Sequence, residues 1–362
     1  MSTMRRIQRL REKMREQGLD AMFVSSPENR AYFSGFRGSA GYLWITDKHL
    51  MLATDFRYTE QAGMQAHDFT VTRIAGSLDW LKNLVGDSGA RRIGIEDAHM
   101  AVSTFNAFKK QLDGLAPQPE FAYTGSMCDQ LRAVKDADEL YLMAKAISQA
   151  DVAMDAVSQK IRPGMTEREV AWMMEVAMRE AGADAISFET IIAAGPNGAK
   201  PHHHPTDKRI EVGEGIVIDM GAKFDGYCSD ITRTYLLGRA DEKFRTVWNT
   251  VLAAQEIAEA TARTGMTGAE VDGLARDVIA KAGYGDTFGH SLGHGIGLAV
   301  HEYPRVGPGA TQQIIEDGMV YSVEPGIYLT GWGGVRIEDL VVMENGKPRV
   351  LTAARKHDLI EL

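Results

Sequence analysis

The stretches "RPGMTEREVAWMMEVAMREAG" (162–182) and "TGMTGAEVDGLARDVIAKAG" (264–283) are two versions of one pattern, in register from Gly164 against Gly265. Each puts Gly-Met-Thr before a helical run, with Thr166 and Thr267 at the N-cap and Glu169 and Glu270 at the third helical position. That spacing makes a capping box, in which side chain and backbone satisfy each other's free N–H groups. After each helix come a histidine-bearing loop and a glycine-led apolar strand. The first copy has His202, His203 and His204 and then "EGIVIDMG" (214–221); the second has His290, His294 and His301 and then "DGMVYSVEPG" (317–326). A further strand follows in both, "YCSDITRTYLL" (227–237) and "GGVRIEDLVVM" (333–343). One helix-loop-hairpin unit has been duplicated. The repeat predicts a pseudo-two-fold α+β domain with a cleft between its halves, the default place for a site.

Those four strands carry acids where apolar residues belong. Asp219 follows Ile216-Val217-Ile218, Glu324 follows Tyr321-Ser322-Val323, Asp230 precedes Ile231, and Glu338 lies between Ile337 and Asp339. Carboxylates are rarely buried in such surroundings unless paired or bound to metal. A lone acid in a strand is more often salt-bridged or at an edge, but four at repeat-equivalent positions would converge from both halves. Together they would repel one another and raise several pKa values. Two divalent cations would cancel the four charges, and an imidazole would complete the set.

The stretch "FGHSLGHGIGLAVHE" (288–302) offers that imidazole. His290 and His294 have the spacing of a metalloprotease helix, but the Glu of H-E-x-x-H is absent. Gly289, Gly293, Gly295 and Gly297 would each cost about 1 kcal/mol in a helix. The segment is therefore expected to be extended, with its backbone closely approached. His294, in the tightest glycine context, is the candidate ligand. In "PHHHP" (201–205) consecutive side chains alternate in direction, so His203 is expected to face away from His202. Cys228 shares a strand face with Asp230 and reads as a small buried residue. Thr232 faces the same way and is placed to hydrogen-bond a ligand carboxylate.

Upstream, Ile7, Leu10 and Met14 share one helical face, and Gly18 is placed to end that helix. Short apolar runs follow at 21–24, 41–46, 49–54, 69–73 and 92–96, with helical patterns around 77–85 and 101–113. This alternation predicts an α/β domain. A strong helix follows, with Leu140, Met143, Ile147, Met154 and Val157 at helical spacing. A chain of 362 residues favours two domains. The net charge of −9 disfavours nucleic acid and anionic membranes as partners. Cys128 and Cys228 form no CxxC or disulfide framework, which points to a reducing compartment. The basic N-terminal segment has no apolar core of a secretory signal, and no apolar run is long enough for a bilayer. A cytoplasmic location is expected.

The motifs "PH" (201–202), "IDMGAKFDGYCSDITRT" (218–234), "GHSLGHGIGLAVHE" (289–302), "VEPGIY" (323–328) and "GGVRIEDL" (333–340) resemble those of the pita-bread metallopeptidases, in particular the aminopeptidase P and prolidase group. The resemblance covers nearly the whole chain. It implies a creatinase-like α/β N-terminal domain at 1–128, followed by an α+β pita-bread domain with internal two-fold pseudo-symmetry at 129–362. It implies that Asp219, Asp230, His294, Glu324 and Glu338 bind two divalent metal ions. An oxygen-dominated set suits manganese, with cobalt, iron or zinc as alternatives. It further implies that His202, His290 and His301 contact substrate and the developing oxyanion, that Glu324 also shuttles a proton, and that Arg336 braces the metal site. The expected activity is hydrolysis of the bond between an N-terminal residue and proline in peptides with proline at the second position. An Xaa-Pro aminopeptidase is expected, with an Xaa-Pro dipeptidase as the alternative. A catalytically silent interaction protein is the alternative from another class. The loop "FSGFRGSAG" (33–41), with Arg37, resembles the family's dimer-contact region and implies a homodimer.

Overall fold

The computed structural model describes residues 3–75, 78–356 and 361–362. Two compact units meet between Arg132 and Ala133. The sequence-based boundary at 128/129 falls inside the helix Met127–Ala133.

The N-terminal unit is built on a six-stranded mixed sheet, in the order Thr70–Arg73, Leu50–Thr54, Tyr42–Thr46, Ala21–Val24, Arg92–Ile95, Glu120–Tyr123. Ala21–Val24 runs antiparallel to Tyr42–Thr46 and parallel to Arg92–Ile95. It is buried along its whole length, which is why it reads as a continuous apolar run. Leu81, Val85, Phe108 and Leu112 of the helices Asp79–Ser88 and Val102–Leu112 pack with Phe23 and Trp44. The sequence reading missed the strand Glu120–Tyr123 and the helices Pro27–Ser34 and Thr59–Gln65. The former helix is held by its ends, with Ser26 capping Asn29 N, Pro27 in the first turn and Gly35 in the left-handed conformation. Eight residues are too few for a periodicity to stand out.

The C-terminal unit contains the duplication, and each copy is larger than the helix-loop-hairpin expected. Ala137–Ser158 packs on Glu167–Glu180, and Glu242–Thr261 packs on Gly268–Lys281. Both expected capping boxes form: Thr166 N and Thr267 N each donate to their glutamate at 2.7 Å, and each threonine hydroxyl accepts the return bond at 3.1 Å. The helix Glu242–Thr261 was not anticipated, although Phe244, Val247, Val251, Ala254 and Ala258 lie on its buried face and Asp241 caps it. Backbone contacts repeat between copies. Gly164 N donates to Ile210 O and Gly265 N to Ile315 O, both at 2.9 Å; Ile210 N returns to Met165 O and Ile315 N to Met266 O, both at 2.8 Å. Each copy buries its own core. Met154, Val170, Met174, Ile216, Ile218 and Ile231 fill the first, and Val247, Val271, Ala275, Tyr321, Val323 and Val341 the second. Each large side chain so buried contributes about 1.5–3 kcal/mol.

In the first copy Gly215–Met220 pairs with Ile231–Leu236, and Thr232 stands opposite Asp219. In the second copy both expected strands are broken. Val320–Val323 pairs with Asp339–Glu344, while Gly326–Leu329 and Gly333–Arg336 form a separate ribbon. The breaks are Glu324-Pro325 and Ile337-Glu338, and Pro325 has no N–H to give a ladder. Three of the four acids therefore lie at strand ends or breaks, and only Asp219 lies within a strand. The glycine-rich stretch is extended as expected. Gly293–Gly295 is a short strand between Glu302–Val306 and Val320–Val323. What approaches its glycines is neighbouring backbone: a β-carbon would stand 1.8 Å from Ser322 O at Gly293 and 2.2 Å from Tyr303 O at Gly295. Among the described residues no helix is long and apolar enough to cross a membrane.

Candidate active site

The repeat delivers Asp219 and Glu324 from equivalent places, and Asp230 and Glu338 from the returning chains. The carboxylates of Asp230 and Glu338 and the ring of His294 each offer an atom within 4.8 Å of the others. His294 Nε2 lies 3.2 Å from Glu324 Oε1 and 3.7 Å from Asp230 Oδ2. Arg336 Nη2 joins Asp219 to the group, donating to its Oδ2 at 2.6 Å. All five expected ligand residues and Arg336 therefore lie in one network.

The surroundings orient these groups. His294 Nδ1 faces Gly295 O at 3.1 Å, which fixes the proton there and turns Nε2 toward the acids. Ser322 Oγ donates to Glu324 Oε1 at 3.0 Å and accepts from His294 N at 3.0 Å. Thr232 Oγ1 donates to Glu338 Oε2 at 2.7 Å, the contact expected of it, and accepts from Arg336 Nε at 3.2 Å. Glu338 N donates to Thr232 O at 3.0 Å, tying the second copy's break to the first copy's strand.

Burial and mutual repulsion act together on the acids. Burial, then the charges of Glu338, Asp219 and Glu324, push Asp230 well above the ordinary carboxylate range. Glu338 is raised likewise by burial and by Glu324 and Asp219, and Asp219 is raised by burial against the opposing pull of Arg336. Glu324 moves the other way: burial would raise it, but the hydrogen bond and charge of His294 bring it down to about 2. His294 is raised, since Glu324 outweighs the effect of burial. Without cations the cluster is thus neutralised by protons. Asp219 Oδ1 and Glu338 Oε1 are nevertheless buried and receive no N–H or hydroxyl donor among the described residues, so apart from cations only a proton held on a neighbouring acid such as Asp230 can serve them. Orphaned carboxylate oxygens beside an imidazole presented by Nε2 are the donor set of a divalent transition-metal ion, so the residues fit such a group.

The remaining histidines lie around the cluster in different states. The ring of His301 packs edge-on against that of His294, with centroids 4.3 Å apart. Its pKa is lowered by burial and by the charge of His294. His290 is also lowered, mainly by burial. Its Nδ1 faces Ser291 O at 2.8 Å and its Nε2 faces the Tyr328 hydroxyl at 2.9 Å. In that arrangement Nδ1 donates and Nε2 accepts, so His290 donates to an oxyanion through Nε2 only after gaining a proton there. His202 is exposed and near enough to both His290 and His301 to act on them electrostatically, in the sense that lowers them. The preceding Pro201 O accepts from Arg336 Nη1 at 3.4 Å. His203 faces away into the protein, 2.9 Å from Glu167 Oε2.

Several participants were not singled out from the sequence. Tyr328 links His290 to Arg336, whose Nη1 donates to its hydroxyl at 2.9 Å. It sits in the "VEPGIY" motif, but its role depends on the ribbon pairing that brings it to Arg336. Asp272 and Arg276 hold the glycine-rich segment: Arg276 donates to Phe288 O and His290 O at 2.8 and 2.7 Å, and Leu292 N donates to Asp272 Oδ1 at 2.9 Å. Their i, i+4 spacing marks a helix pair in sequence. A cleft of about 380 Å³ lined by Glu214, Phe244 and Trp332 includes none of the cluster residues. Its carboxylates are engaged elsewhere, Glu214 with Lys208 at 2.6 Å and Asp241 with Phe244 N at 2.7 Å.

Fold and cluster together are those of a metal-dependent hydrolase of the pita-bread class. The model of metallopeptidase family M24 matches residues 141–345, and that of the creatinase/prolidase N-terminal domain matches residues 6–134. An uncharacterized peptidase of Bacillus subtilis is 39% identical, over 98% of this chain and 99% of its own. The Xaa-Pro dipeptidase of Pyrococcus furiosus is 37% identical, over 97% of this chain and 99% of its own. Among solved structures, an Xaa-Pro dipeptidase from Bacillus anthracis superposes with a TM-score of 0.95 at 38% identity, covering 100% of both chains. An X-Pro aminopeptidase from Thermotoga maritima gives 0.90 at 37% identity, over 98% of this chain and 99% of its own. The chain belongs to metallopeptidase family M24.

Proposed function

We propose that this metallopeptidase is an exopeptidase that hydrolyses the bond between an N-terminal residue and proline, with Asp219, Asp230, His294, Glu324 and Glu338 as ligands of two divalent ions. The observation that carries the reading is the buried cluster of four carboxylates and one imidazole, in which two carboxylate oxygens receive no N–H or hydroxyl donor among the described residues. Manganese suits its oxygen-rich donors, and cobalt, iron or zinc would also fit. Bound there, divalent cations supply an activated water at neutral pH and polarise the scissile carbonyl.

The chain's own groups supply the rest. Glu324, ionised and beside His294, takes the proton of the attacking water and hands it to the departing proline nitrogen. In this reading His301 and His202 are the donors to the tetrahedral intermediate, and His290 joins them once protonated. Arg336 stays charged, since Tyr328, Asp219 and Glu324 outweigh its burial, and it holds Asp219 in place. Proline's nitrogen carries no N–H, so selection rests on ring shape and the tertiary amide.

Substrate length divides the named relatives. Xaa-Pro dipeptidases from Pyrococcus furiosus and Bacillus anthracis support dipeptides as substrates. A second reading, an aminopeptidase acting on longer peptides, is favoured by the commitment of Arg336 to Asp219, Tyr328 and Thr232, which leaves it no reach for proline's carboxylate. Ala-Pro, Ala-Pro-Ala and a longer Xaa-Pro peptide assayed side by side decide between them. Turnover of Ala-Pro alone establishes the dipeptidase; comparable turnover of all three establishes the aminopeptidase. Turnover of none sinks the Xaa-Pro reading itself.

A further inference from the structure

The two capping-box helices of the repeat differ at their first helical residue. Gly268 takes that place in the second copy, where a β-carbon would stand 2.2 Å from Arg305 O. The first copy has Glu167 there, with 0% of its surface exposed. A carboxylate buried so completely needs partners, and five groups supply them. Ala194 N and Thr206 N donate to it at 2.9 and 3.0 Å, the Thr206 hydroxyl at 2.7 Å, the Asn197 amide at 2.9 Å, and His203 Nε2 lies at 2.9 Å.

All five belong to residues 194–206, the segment that carries His202. Its other side rests on the ribbon of the candidate site. A β-carbon on Gly198 would lie 2.9 Å from Gly334 N, and Pro201 O accepts from Arg336. His203 points into the helix terminus and its neighbour His202 is exposed; a turn closed by His203 N donating to Lys200 O at 3.1 Å sends the two side chains in different directions.

We propose that Glu167 is a positioning residue: through His203, Asn197 and Thr206 it fixes the segment that presents His202 to substrate. The proposal rests on the reading of His202 as a substrate contact. Glu167→Gln aims an NH2 group at a ring of donors, so the segment loses its fixed path. The carboxylate cluster stands on other elements and keeps its geometry. A displacement of about 1 Å at a substrate-contacting group costs on the order of a hundredfold in rate.

The test compares Glu167→Gln, His203→Ala, His202→Ala and the double variant Glu167→Gln/His202→Ala. Metal content, kcat, and the NMR resonances of the imidazole rings are measured in each. In Glu167→Gln, metal content and a cooperative melt are expected to be those of the wild type, with kcat down by about tenfold or more. The His202 resonance should move to the position of an unstructured histidine while those of His290 and His301 stay. The double variant should be no slower than His202→Ala alone, since both changes remove one function. An unmoved His202 resonance, loss of metal, or a double variant slower by the product of the single effects overturns the proposal. Wild-type turnover in His202→Ala overturns instead the substrate-contact reading, and the resonances then decide the hold on the segment by themselves. Should Glu167→Gln fail to fold, His203→Ala carries the same measurements with the same outcomes.

Discussion

Three histidines within twelve residues have three different surroundings, and these assign them different work. His294 gives its Nδ1 proton to Gly295 O and turns Nε2 to the acids, the posture of a metal ligand. His301 touches only the rim of that group, and His290 is engaged through Tyr328. We predict that His294→Ala and Asp230→Asn lose bound metal with the fold retained. His301→Ala keeps its metal and loses about a hundredfold or more in kcat, the effect of removing one oxyanion donor. Metal analysis of the purified variants checks this; equal metal loss in His294→Ala and His301→Ala would mean that the segment is a ligand cluster throughout. The carboxylates also predict a pH dependence. Asp230 and Glu338 hold protons well above the ordinary carboxylate range, and His294 holds its proton above its usual value. Cations must displace those protons, so metal affinity falls as pH falls from neutrality, and binding releases protons. Titration calorimetry in two buffers of different ionisation enthalpy measures the release; identical heats in both would contradict it.

At the scale of elements, the acids were legible because a carboxylate in an apolar strand is conspicuous. Their exact setting was not. The sequence reading ran one strand through Glu324 and another through Glu338, whereas both stand in breaks between a sheet and a ribbon. Pro325 carried a local hint of the first break; the second depends on pairing across the chain. The helix Glu242–Thr261 has a regular apolar face and a capping aspartate, so its signal was present and went unread. The reach of Arg276 to two carbonyls of the glycine-rich segment exists only in three dimensions. That segment's strand depends on the absence of side chains. Gly293→Ala would drive a methyl group into Ser322 O, and strand separation or loss of pairing must follow. A destabilisation of about 1–3 kcal/mol and reduced metal content are expected, read from denaturant midpoints and metal analysis. A wild-type midpoint with full metal would show that the ladder at Gly293 has room to spare.

Over the whole molecule, duplication was the most legible feature, since Gly-Met-Thr and its capping box recur with the same backbone contacts. The departures from symmetry carry the specialisation. Glu167 stands where the other copy has Gly268, and the histidine loops have no common pattern. Such differences have no period, so they emerge only when the loops are seen packed. The central claim is that the cluster makes a metal-dependent Xaa-Pro peptidase, and one measurement addresses it most directly. Protein stripped of metal by chelation and dialysis is assayed on Ala-Pro, Ala-Pro-Ala and their Ala-Ala counterparts, before and after manganese is restored. The account predicts no turnover when stripped, and release of alanine from at least one of the proline peptides on restoration, with the Ala-Ala peptides left intact. Full turnover in stripped protein, or equal cleavage of the proline and Ala-Ala peptides, would contradict it.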